Sequence, residues 1–408
     1  MPEPSQARPC IVLGVETQIG LSIVRELGAA GVPVIAMSHD PHALGLASRH
    51  VWRKVIAGPP RSEAVLAAVR AIGQQYGSCS LITVSEANLL WLSAHRADLG
   101  CVAPALPPAQ ALAAVLDKQL TLQAARAVGI QVPRTDAPTS FGAIAALAGD
   151  FPLPAVLKWA DPNAVSAALA VAGLELIKAE YVYTTAELMA AAQRYRAIGQ
   201  WPLIQQYCPG RGLGQFFFVH QGQVARRFQH LRIAEWPPEG GFSSVCDALP
   251  LACHADLQAL SAALLQRIGW EGVAMVEYRL DEATGQAVLM EINGRFWGSL
   301  PLAMHAGAGF ALLAHHAALG EPLPTLPPPR DDLRCRMVMT EIKRLVRLLL
   351  RPQAIKDRRF KVRPLPELRR FVLDFFRPKV RYYVWLLRDP KPFLVDVANG
   401  LFKWRQAA

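Results

Sequence analysis

A chain of 408 residues with 52% hydrophobic and 18% charged positions is long enough for two or three domains and too apolar to be disordered. Its seven cysteines are scattered, odd in number and without a Cys-x-x-Cys pair, which argues against a disulfide framework or a zinc site and for a reducing compartment. The net charge of +11 is uneven: residues 331–408 hold 20 Lys/Arg against 8 Asp/Glu, a net of +12, whereas the first 330 hold 23 against 24, so nucleic acid is not an expected partner of the main body.

The polar start before residue 10 reads as a tail leading into a first strand, not as a signal peptide. No apolar run reaches the roughly 18 residues that a membrane helix needs. Residues 10–15, 32–37, 80–84 and 101–104 read as buried strands, and residues 20–30, 62–76 and 87–97 as helices between them. Strands alternating with helices of this length predict a parallel α/β layer over residues 1–106. Gly14 and Gly20 lack Gly-x-Gly-x-x-Gly spacing, so the pattern predicts a Rossmann-like scaffold with glycines serving turn geometry.

Residues 107–128 predict one long helix ending at Gly129. A strand over 155–159 carries Lys158, a short strand over 181–183 leads into a helix from residue 184 or 185, and a strand over 201–207 runs into the Cys208-Pro209-Gly210 turn. Residues 215–220 and 223–229 predict a hairpin around Gln221-Gly222. Residues 256–267 predict a helix with Asp256 as its N-cap, and residues 302–318 another. Pro-rich residues 322–329 read as a linker.

The densest chemistry lies in Met275-Val276-Glu277-Tyr278 and Met290-Glu291-Ile292-Asn293-Gly294-Arg295. On a strand, alternate residues share a face. Glu291, Asn293 and Arg295 are therefore expected to project together, with Glu277 joining from the neighbouring strand. Two acids and an amide in apolar strands are costly without a cation, and hard oxygen ligands suit Mg²⁺. Arg295 suits an anionic substrate or a phosphoryl group. Arg232 precedes a Pro/Gly loop and offers a bidentate fork for a substrate carboxylate.

These features in this order resemble the ATP-grasp superfamily, in particular its carboxylate–amine ligase-like members. The resemblance rests on Asp117-Lys118, on Gly129 to Pro133 as a Gly-Ile-x-Val-Pro turn, on Lys158, on Tyr207-Cys208-Pro209-Gly210, and on the acid followed by Glu-x-Asn-x-Arg, and it covers roughly residues 10–320. It implies an α/β and α+β protein: a Rossmann-like domain (1–106), a two-lobed ATP-grasp domain (107–322, with lobes of about 107–205 and 206–322), then a proline-rich linker and basic helical segment (323–408). It implies that Lys118 and Lys158 contact ATP phosphates, and Lys178, after Leu174-Glu175-Leu176-Ile177, is a further candidate for nucleotide binding beside a surface role. Gln205, Gln206, Tyr207 and Cys208 would form the adenine-binding hinge. Glu277, Glu291 and Asn293 would hold Mg²⁺, with Mn²⁺ as an alternative.

The implied activity joins a small-molecule carboxylate to an amine through an acyl phosphate, with Arg295 and Arg232 stabilising developing charge. Two departures leave a second reading open. Gln206 stands where many members carry Glu, and residues 161–167 hold no glycine where many members have a flexible phosphate loop. That reading is a nucleotide-binding ATP-grasp protein without ligase turnover. For residues 331–408, packing back on the body and docking on an anionic membrane surface both remain open, which makes the expected location cytoplasmic or peripheral at the inner face of the membrane.

Overall fold

A computed structural model describes residues 7–160, 162–177 and 179–407, without the side chains of 162, 163 and 401–407. Strands β1 (Cys10–Leu13), β2 (Val34–Ser38), β3 (Val51–Ile56), β4 (Cys79–Thr83) and β5 (Val102–Pro104) form a parallel sheet in the order β3-β2-β1-β4-β5. Helices α1 (Gln18–Ala29), α2 (Glu63–Tyr76) and α3 (Glu86–Ala94) connect them. The order is that of a doubly wound sheet, as the alternating pattern predicts. Strand β3 is unanticipated: its residues are half-exposed, and Arg53-Lys54 interrupts its apolar character. A Cβ on Gly20 would lie 2.4 Å from the Gly14 carbonyl oxygen, so this pair of glycines closes the β1–α1 turn.

The stretch read as one helix over 107–128 is two, α4 (Ala109–Leu116) and α5 (Lys118–Ala127). The break falls at Asp117, whose carboxylate accepts the backbone N–H groups of Gln119 and Leu120 and starts α5 afresh. A small lobe follows. Strands β6 (Thr135–Asp136), β7 (Ala155–Lys158), β8 (Glu180–Val182) and β9 (Leu203–Gln206) pair antiparallel in the order β6-β9-β7-β8, with α6 (Phe141–Leu147), α7 (Pro162–Val171) and α8 (Thr185–Tyr195). Its own core includes Ile144, Phe151, Leu157, Leu188 and Ile204. From residue 162 onward the glycine-free stretch is α7, not a loop.

The largest sheet contains β10 (Arg211–His220), β11 (Gln223–Trp236), β12 (Phe242–Ala248), β13 (Gly272–Leu280), β14 (Ala287–Asn293), β15 (Arg334–Arg336) and β16 (Val380–Tyr382), in the order β14-β13-β10-β11-β12-β15-β16. Helix α9 (Ala255–Ile268) covers one face, where Phe217, Val276 and Tyr278 are buried together with Leu264. It begins one residue before Asp256, and His254 occupies the cap position. The helix read over 302–318 is likewise two, α10 (Leu300–His305) and α11 (Phe310–Ala318), because Gly307 and Gly309 take left-handed conformations between them. These two helices and α1 share a core with the other face of the sheet, where Trp297 stacks on Phe216 at a centroid distance of 4.2 Å.

The C-terminal segment holds α12 (Val338–Leu350), α13 (Pro364–Leu373) and α14 (Lys391–Ala407), and it lends β15 and β16 to the large sheet. It also reaches the N-terminal sheet. Buried Asp389 accepts Arg25 Nε at 2.9 Å, Ser48 Oγ at 2.7 Å and the Arg49 backbone N–H at 2.9 Å. Removing one partner of a buried ion pair strands the other charge. Asp389→Ala is therefore expected to cost about 3 kcal/mol, seen as an earlier urea midpoint with no change in folded far-ultraviolet dichroism.

Candidate functional site

Alternation along β13 sends Ala274, Val276 and Tyr278 into the core beneath α9 and leaves Met275, Glu277 and Arg279 on the opposite face. There they line a cleft of about 380 Å³ between the small lobe and the large sheet. Glu277 and Glu291 are direct cross-strand partners, as are Met275 and Asn293. Asn293 Nδ2 donates to Glu291 Oε1 at 3.1 Å, which ties the amide to the second acid. The cleft also receives Lys118 from the start of α5, Lys158 and Gln205 from the small lobe, and Arg295 from the loop after β14. Lys118, Lys158, Gln205, Arg232, Glu277, Glu291, Asn293 and Arg295 thus line one cavity, whereas Gln206, Tyr207 and Cys208 do not.

Its electrostatics come from a network that sequence reading did not anticipate. Arg232 Nη2 donates to Glu277 Oε2 at 2.5 Å, while its Nη1 donates to Glu235 Oε1 at 3.1 Å and to the Gly241 carbonyl at 2.9 Å. Arg279 Nη1 donates to the other oxygen of Glu235 at 3.0 Å. Burial works against the Arg232 charge, but Glu277 and Glu235 more than offset it and raise the pKa of the guanidinium. Burial raises the Glu277 pKa, Arg232 opposes that rise, and nearby Glu291 adds to it. Glu235 shows the reverse balance: burial alone would raise its pKa, yet Arg279 and Arg232 pull it below the usual carboxylate value. The geometry requires glycine at 212, because a Cβ there would come within 2.4 Å of Arg232 Cδ.

Lys158 leaves the end of β7, and its Nζ donates to Gln205 Oε1 at 3.0 Å; Gln205 Nε2 in turn donates to Thr135 Oγ1 at 3.1 Å. Burial, then the neighbouring Lys118 charge, lowers the Lys158 pKa, while Glu291 counteracts them. An anion in the cleft would relieve both effects. Gln206 is exposed and pairs with Arg134 through backbone and side chain. Cys208 is half-buried, its thiol donates to the Gln206 carbonyl at 3.6 Å, and burial raises its pKa. Lys178 lies outside the described residues.

Tyr207 turns away from the cavity. Its hydroxyl donates to Asp357 Oδ2 at 2.9 Å, and the Tyr183 hydroxyl donates to Asp357 Oδ1 at 2.7 Å. The backbone N–H of Lys356 donates to Glu239 beside the cleft at 3.2 Å. Residues 356–358 are therefore a strap from the C-terminal segment to the small lobe. No spacing in the sequence marks Asp357, which lies 150 residues from Tyr207 and 174 from Tyr183 in the chain.

Among the described residues no group of three His, Cys, Asp or Glu could hold a metal ion. Two carboxylates and an amide do fit a cation whose remaining ligands are water and phosphate oxygens, which is how Mg²⁺ is commonly held. Burial, with the Glu291 charge adding to it, raises the Glu277 pKa despite Arg232, and a cation beside this carboxylate would oppose that rise.

A family model described as "ATP-grasp in the biosynthetic pathway with Ter operon" matches residues 245–341, which run from the end of β12 through the acid pair into α12. Among solved structures, the fold is similar to a biotin carboxylase–β,γ-ATP complex from Campylobacter jejuni (15% identity, 78% of this chain and 73% of that chain, TM-score 0.61). The chain has the ATP-grasp fold. The ATP-grasp architecture is shared by the biotin carboxylase domain of the Hydrogenobacter thermophilus 2-oxoglutarate carboxylase with MgADP and bicarbonate (13%, 81% and 74%, TM-score 0.61). It is shared too by an L-amino acid ligase from Bacillus licheniformis (17%, 77% and 75%, TM-score 0.54). No curated protein matches by sequence.

If the strap orders the small lobe of this ATP-grasp fold, Asp357→Ala should release both tyrosine hydroxyls. Amide hydrogens of β7 and β9 should then exchange at least about ten-fold faster, while those of β10 and β13 keep their protection. Unchanged exchange in β7 and β9 would show that the small lobe is ordered without it.

Proposed function

We propose that the protein is an ATP- and magnesium-dependent ligase that joins a small-molecule carboxylate to an amine through an acyl phosphate. The observation that carries this reading is the convergence of Lys118, Lys158 and Arg295 with Glu277, Glu291 and Asn293 in one cleft between two lobes. Structural neighbours crystallised with a β,γ-ATP and with MgADP, and an L-amino acid ligase among them, support it.

Lys118 and Lys158 bind phosphate oxygens as mobile point charges. Leu203 and Met290 supply apolar wall for the base, with Gln205 beside them, while the backbone N–H groups of Gln206 and Tyr207 are taken by the Arg134 and Pro154 carbonyls. Glu277, Glu291 and Asn293 would hold Mg²⁺, or Mn²⁺ in its place, and the ion would neutralise charge on the phosphates. A carboxylate oxygen attacks the γ-phosphorus and the bond to ADP breaks. The amine nitrogen then attacks the acyl carbon, phosphate leaves, and the nitrogen gives up its proton. Arg295 faces the developing negative charge, and Arg232 positions Glu277. Arg295 also lines a second cavity of about 200 Å³ with Thr83, Arg96, His220 and Trp270, which offers a compartment for one of the two substrates. The free cysteines suit a cytoplasmic setting.

A screen of carboxylic acids against amines for coupled ADP release tests the proposal. Glu291→Ala is expected to lower divalent-dependent turnover at least about 100-fold with the fold intact; unchanged turnover would sink the metal assignment. Lys158→Ala should weaken ATP binding at least about ten-fold by calorimetry. The second reading, nucleotide binding without ligation, is favoured by the Arg232 fork being filled by protein acceptors and by α7 in place of a glycine loop. It predicts tight ATP binding with no acid–amine pair releasing ADP.

A further inference from the structure

A surface helix usually turns its apolar residues to the body and its charges to water, but α12 buries Glu341 and Arg344 beside Leu345 and Leu348 and leaves a further apolar row outside, and α13 buries no residue fully. On α12, Glu341, Arg344 and Leu348 are buried, whereas Ile342, Val346 and Leu349 are exposed at a spacing of four and three residues. On α13 no residue is fully buried; Leu365, Leu368 and Val372 are exposed, and Phe376 just beyond the helix is 80% exposed. The charges turn toward the partner helix instead: Arg344 pairs with Glu367 at 3.2 Å, and Arg370 reaches Glu341 at 3.9 Å. Arg344 Nη1 also donates to the Glu235 carbonyl at 2.8 Å, so the inner face is anchored on the large sheet.

Around the outward apolar rows stand cations without acidic partners. Lys343, Arg351, Lys361, Arg363 and Arg369 are all exposed, and none forms an ion pair among the described residues. The main body carries no such excess; the +12 net charge sits in residues 331–408. No helix of the described residues is long and apolar enough to cross a membrane.

We infer that the outer face of α12 and α13 is a docking surface for an anionic lipid bilayer, which it meets in the plane of the headgroups. Apolar rows rimmed by Lys and Arg match the boundary between acyl chains and anionic headgroups on both counts. A second copy of this chain is disfavoured as the occupant, since a symmetric contact would oppose two faces of the same positive sign. Each cation close to such a surface contributes about a five-fold gain in partitioning, which falls with salt. The inference does not depend on ligase turnover, because binding is read without substrates.

The experiment is flotation of the full-length protein with vesicles of phosphatidylcholine alone and of phosphatidylcholine with about a third phosphatidylglycerol. The anionic vesicles are expected to carry at least about ten times more protein at low salt, with the difference shrinking at about 0.5 M salt. The double variant Leu349→Glu/Phe376→Glu should lose flotation, as should Lys343→Glu/Arg369→Glu, while both keep the parental thermal midpoint within a few degrees. Equal flotation on neutral vesicles, none on either, or full flotation of both folded variants would overturn the inference. Concentration-dependent dimerisation in sedimentation that the apolar variant abolishes, without vesicle binding by the parent, would assign the face to a second copy and overturn it equally.

Discussion

Arg232, Arg279, Glu235 and Glu277 stand on one face of an antiparallel sheet, nearly removed from water, and they are tolerable there only because they neutralise one another. The rest of the cleft depends on this arrangement. Arg232 aims Glu277 at the space it shares with Glu291 and Asn293. Through the Gly241 carbonyl, Arg232 also holds the loop that forms one wall. The Glu235 carbonyl extends the network outward to Arg344 on α12. The chemistry of the cavity and the seating of the C-terminal helices are thus connected through one short strand end.

That connection alters what the basic C-terminal segment is. It adds two strands to the large sheet, clasps Arg25 of the first domain through Asp389, and reaches two tyrosines of the small lobe through Asp357. Packing back on the body and keeping a face for another partner are not rival descriptions of it. Ion pairs and buried arginines, with Leu345 and Leu348, bind the inner side, and a second set of apolar side chains of the same two helices stays turned to solvent.

The parallel layer was legible because buried parallel strands are continuous apolar runs, and only β3, half-exposed at the sheet edge, escaped that signal. The acid pair was legible because strand alternation assigns faces without any knowledge of the fold. Helix breaks were less so. Asp117 reads equally as a helical residue or as a cap, and it is a cap here because its carboxylate accepts the Gln119 and Leu120 backbone N–H groups. Arg279 and Glu235 were missed since each is an ordinary charged residue until a partner 44 positions away meets it. Gln205 was read as part of the hinge, and its side chain proves to hold Lys158.

The sequence by itself determined which residue types lie on which face of each strand, where charge accumulates, and the order of the elements; these follow from local periodicity and composition. Only the tertiary structure decided which charges neutralise which. An ion pair between distant residues is specified by the approach of two backbones, and no local pattern encodes that approach. The same holds for the outward apolar rows of α12 and α13. Their amphipathic spacing is visible in the chain, but which side would be covered depended on where Arg344 and Glu341 found partners.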